Sequence, residues 1–108
     1  MLDLDKYIEN ELEVKIFGKK VHVKEITARM MSRINKIEKD MNSGNIGEKR
    51  TEVALLVLNN NRERIVFEEK DFENIPYVVV DKIAEEVSEM KKRVEEDPNS
   101  ESPSQKGK

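Results

Sequence analysis

The residues capable of chemistry are few and scattered. His22 is the single histidine of a chain that has no cysteine. A zinc site draws on several Cys, His or carboxylate ligands at short spacing, and nothing around His22 supplies them. It stands in the alternating stretch Val21-His22-Val23-Lys24, on the polar side, where an exposed residue is expected. Ser32, Ser43 and Ser88 lack the tight strand-to-helix turn that presents a nucleophile. Gly44 and Gly47 are not followed by the Lys-Ser/Thr of a phosphate loop. The carboxylate pairs Glu85-Glu86 and Glu95-Glu96 fall in charged helical sequence and are expected in solvent. We therefore assign no catalytic, cofactor-binding or metal-binding residue, expect no cofactor, and read the chain as a non-enzyme.

One charged group has a possible partner. Arg29, Arg33 and Lys36 share a side of a predicted helix, and Lys20, His22 and Lys24 share a face of a predicted strand. Together they would form a basic patch for phosphates. Against this, no aromatic is interleaved for base stacking, Glu25, Glu38 and Asp40 lie nearby in sequence, and the net charge is −3. The balance favours a solvated mixed surface over nucleic-acid binding.

The elements that must carry these residues follow from hydrophobic period. Val53-Ala54-Leu55-Leu56-Val57-Leu58 is the longest apolar run. Ala and three Leu favour a helix over about Glu48–Asn60, apolar on every side and expected to be covered all round. Before it, Leu12, Val14 and Ile16 alternate with Glu13 and Lys15, and Val21 and Val23 with His22 and Lys24. This predicts a β-hairpin over 12–25 turning at Gly18-Lys19-Lys20. Thr27 is a predicted N-cap. Ile26, Met30, Ile34, Ile37 and Met41 then form a helical stripe that ends at Asn42-Ser43-Gly44-Asn45. Asn59-Asn60-Asn61 should close the central helix in left-handed conformation. Arg64–Phe67 is expected to be extended and Glu68–Asn74 to form a short helical turn, with Phe67, Phe72 and Ile75 inward.

Pro76 then opens a final helix over about Tyr77–Glu95 with the seam Val80, Ile83, Val87, Met90, Val94. Leu4, Tyr7 and Ile8 mark a short helix or arm packed on the core. The expected fold is α+β, mostly helical: an N-terminal hairpin on a bundle of about three helices, residues 1–96 as one domain. Residues 97–108 are expected to be a disordered tail.

Composition sets the limits. Apolar residues make up 36% and charged residues 40% of the 108, so the core must be narrow. No stretch approaches the roughly 20 apolar residues of a membrane span, and the acidic N-terminus is unlike a secretory signal. A cytoplasmic protein is expected. Met90 and Val94 sit where little of the chain remains to cover them, and Met30 and Met41 lie on the first long stripe. These four are the candidates for partner binding or self-association, Met being adaptable at such surfaces.

The hairpin Leu12–Glu25 leads straight into a helix. The compact apolar helix, Asn60-Asn61-Arg62 to Phe67, Asp71-Phe72, Ile75-Pro76 and an amphipathic last helix follow. In this order, over roughly Leu12 to Val94, the chain resembles the small tail assembly chaperones of long-tailed bacteriophages and prophages. The resemblance implies a non-enzymatic role in virion morphogenesis. Such chaperones bind the tape measure protein and keep it soluble until tail tube protein polymerises around it. It further implies homo-oligomers, the host cytoplasm and, in some members, a longer frameshifted product. The alternative reading is a small nucleic-acid-binding or regulatory protein that uses the basic surface of the hairpin and first helix.

Overall fold

The computed structural model describes residues 1–96, with side chains through Arg93. The tail expected over 97–108 and the side chain of Val94 lie outside the described residues. The fold is an N-terminal antiparallel hairpin packed on helices. Strands β1 (Glu11–Ile16) and β2 (Lys19–Lys24) pair with Leu12 opposite Val23 and Val14 opposite Val21. Those apolar residues form the inward face, and Val21 and Val23 are fully buried.

The hairpin turns one residue earlier than expected. Its loop is Phe17-Gly18, with φ of 54° and 75°, while Lys19 and Lys20 already belong to the ladder. A two-residue loop with both φ positive matches the twist of the strands. Left-handed Phe17 costs roughly 1–2 kcal/mol. Its ring meets Phe67 at 6.1 Å and, edge-on, Phe72 at 6.0 Å. Two aromatic pairs at about 0.5–1.5 kcal/mol each offset that strain.

Helix α2 (Ala28–Lys39) begins where Thr27 Oγ1 accepts the Met30 N–H at 3.1 Å, a cap worth about 1 kcal/mol. Met30 and Ile34 are buried in the core and Ile37 packs at its margin. The turn to α3 (Ile46–Leu58) is held by two asparagines. Asn42 Oδ1 accepts the Gly44 and Asn45 N–H groups, and Asn45 Oδ1 accepts the Asn42 N–H.

In α3, Val53, Ala54, Val57 and Leu58 are buried, but Leu55 and Leu56 are only half-buried. The run is thus not covered on every side. The helix touches α2, α4 (Tyr77–Glu96) and a 3-10 turn (Glu69–Phe72), and a chain so rich in charge has too few apolar residues to close the remaining side.

The asparagines after α3 work differently from expectation. Asn59 is right-handed at φ −74°, and none of the three has positive φ. Their side chains stand in for a backbone ladder instead. Asn59 donates to the Phe67 carbonyl at 3.1 Å and accepts the Phe67 N–H at 2.7 Å. Asn61 donates to Leu58 O and Ile65 O at 2.7 and 2.8 Å and accepts the Ile65 N–H at 2.9 Å. It is only 5% exposed, yet its amide is satisfied.

Asn60 O accepts the Lys24 N–H and His22 O accepts the Arg62 N–H, both at 2.9 Å, so residues 60–62 lie along β2. This replaces the extended piece expected at Arg64–Phe67, where no strand forms. Phe67 and Phe72 are buried as expected, and Ile75 is half-buried. Helix α1 (Asp5–Glu9) forms but buries no residue; Leu4 is 59% and Ile8 74% exposed. It does not pack on the core.

Candidate functional site

Of the four residues expected to meet a partner, two lie in the core. Met90 is 2% exposed and Met30 is also buried, each inside the core. Met41 is half-buried just beyond α2, and the side chain of Val94 lies outside the described residues. The expectation that Met90 is left uncovered fails, since it belongs to the core and the turns of α4 beside it are tied to the first half of the chain. Lys91 Nζ meets Glu38 at 2.7 Å, and Arg93 meets Glu25, just before α2, at 3.1 Å. Met90 is therefore covered within the chain.

The polar face of the hairpin is organised by ion pairs. His22 is not simply exposed: its side chain is 23% accessible and lies between two carboxylates. Its Nδ1 bonds Glu63 Oε2, and its Nε2 lies 3.3 Å from Glu13 Oε2. The His22 backbone N–H also donates to Glu63 Oε1 at 2.8 Å. That backbone bond, then the ring, holds the Glu63 carboxyl at about 2, against an ordinary value of 4.5. Arg62 forks onto Glu11 through Nη2 at 2.7 Å and Nε at 3.2 Å, and this bond raises its guanidinium pKa further. Sequence reasoning missed Glu63 because it lies 41 residues from His22, with no local pattern linking them.

Between the starts of α3 and α4 lies an open cleft of about 290 Å³. Phe72, Tyr77 and Val80 line it, with Glu48, Glu69 and Glu73 among the polar lining. The Thr51 hydroxyl there donates to Gly47 O at 2.9 Å, and no histidine lines the cleft. Tyr77 lies against Gly47, where an added methyl would meet its ring at 3.6 Å. Nearby, Ile46, Tyr77 and Val78 are exposed. Arg50 ties the two helices by donating to Asp81 at 3.0 Å and to the Tyr77 hydroxyl at 3.3 Å.

Among the described residues, no group of three His, Asp or Glu side chains is placed to hold a metal ion. No helix among them is long and apolar enough to cross a membrane. What the arrangement offers is surface: a charged shell, an open cleft with apolar lining and an N-terminal arm with no buried residue. No protein-family model, curated protein or solved structure matches this chain.

Proposed function

We propose that the protein is a non-enzymatic tail assembly chaperone of a long-tailed phage or prophage. In this reading it binds the tape measure protein in the host bacterial cytoplasm and keeps it soluble until tube subunits assemble around it. The tail tube protein is a second partner, and the chaperone acts as a homo-oligomer. The observation that carries the reading is the set of apolar side chains left outside the core of a highly charged body. Leu4 and Ile8 on the arm, and Ile46, Tyr77 and Val78 beside the cleft, are all exposed. A binder of apolar helices needs such contacts on a soluble body. The order of elements, hairpin then three longer helices, supports the same reading.

Co-expression with the tape measure protein of the same tail gene cluster tests it. The expected result is a soluble complex, lost in Ile46→Lys/Val78→Lys. A tape measure protein equally insoluble with and without this chain overturns the reading.

A further inference from the structure

We propose that the solvent side of α2 binds the phosphate backbone of duplex nucleic acid, independently of the chaperone reading. Four cations lie along this helix, Arg29, Arg33, Lys36 and Lys39, over about 15 Å at 1.5 Å per residue. None has an ion-pair partner among the described residues.

In sequence, the neighbouring acids offset this charge. In the fold they are already engaged by cations from elsewhere. Glu38, the one carboxylate on α2, is held by Lys91 at 2.7 Å. Glu25 is held by Arg93 at 3.1 Å, and Glu11 by Arg62 at 2.7 Å. Glu13 lies between His22 and Lys20, at 3.3 and 3.9 Å. Over residues 11–40, only Asp40, at the end of α2, is left without such a partner among the described residues. The acidic remainder of the molecule is screened beyond a Debye length of about 8 Å at physiological salt.

The makeup of this side selects the partner. Met30, Ile34 and Ile37 turn to the core, and exposed Ser32 and Asn35 stand among the cations. A protein partner would need an apolar centre to anchor on, and the only large apolar side chain of α2 outside the core cluster is the half-buried Met31. Binding here must come from charge and counterion release, which a duplex supplies most densely, at one charge per roughly 1.7 Å. Without an exposed aromatic on α2, base stacking is not part of it. The expected binding is sequence-independent.

The test is fluorescence anisotropy of the full chain with a mixed-sequence duplex across a salt series. The expected slope of log K against log salt is about −2 to −3.6, for up to four phosphates neutralised. Arg29→Gln/Arg33→Gln/Lys36→Gln/Lys39→Gln should lose at least roughly tenfold in affinity at low salt. Glu25→Gln/Glu38→Gln should gain severalfold, a gain that misfolding cannot produce. Lys91→Gln/Arg93→Gln, which leaves the four cations intact, should lose severalfold. A flat salt series, or a quadruple variant that binds like wild type, overturns the proposal. So does polyglutamate binding as tightly as the duplex, which would assign the surface to acidic polypeptides.

Discussion

Residues 1–10 and residues 59–68 are two segments of equal length outside the hairpin and the long helices, and they are held very differently. The first contains Met1, Leu2, Leu4, Tyr7 and Ile8, more apolar bulk than Ile65, Val66 and Phe67 supply to the second. Yet no residue of the first is buried, whereas Asn61 and Phe67 of the second are. The difference lies in where the backbone groups find partners. Asn59 and Asn61 satisfy peptide groups of Leu58, Ile65 and Phe67 with their own amides. The arm's helix is a single short turn with no buried residue. Apolar content alone does not fix an irregular segment; satisfied N–H and C=O groups do.

Asn61→Leu should break the contrast most sharply. It strands the Leu58 and Ile65 carbonyls and the Ile65 N–H, at a cost of about 3 kcal/mol in denaturant unfolding. A loss of less than about 0.5 kcal/mol, no more than a neutral surface change, would mean the amides are incidental.

A smaller effect concerns Glu63, which ties the same segment to β2. Its folded-state pKa is depressed from 4.5 to about 2. Its contribution is thus complete above about 4.5 and lost as pH falls through about 2. Glu63→Gln should flatten the stability–pH curve over that window. An identical acid limb in wild type and variant would remove the clamp from the account.

The smallest effect belongs to the arm. A chain that starts at Asn10 should unfold within about 0.5 kcal/mol of the intact protein. A larger loss would show that the arm is anchored after all.

Much of the scaffold was legible because period carries it. The alternation from Leu12 to Val23 specified the hairpin, and the stripe from Met30 to Ile37 specified α2 with Thr27 as its cap. The spacing from Val80 to Met90 specified α4. What period does not carry is which surfaces meet. Met90 looked uncovered because the end of α4 is tied back to residues more than 50 positions earlier, as the Lys91–Glu38 contact shows. The asparagine run signalled a break, but not that its amides would act as backbone. His22 looked exposed because Glu63 reaches it only through the turn that follows Asn61. The basic residues of α2 were visible from the start; the neutralisation of their acidic neighbours was not, since Arg93 and Lys91 do it across the fold.

The backbone of Asn60–Arg62 has one more consequence. It occupies the outer side of β2, leaving β1 as the one unpaired sheet edge among the described residues. That edge is guarded by alternating Glu11, Glu13 and Lys15, the kind of charge that discourages strand addition. The facing strand has Val21 and Val23 and would lose its own shield if residues 60–62 peeled away. Damage to the asparagine run should therefore give a chain that clumps through open strands before it fully melts.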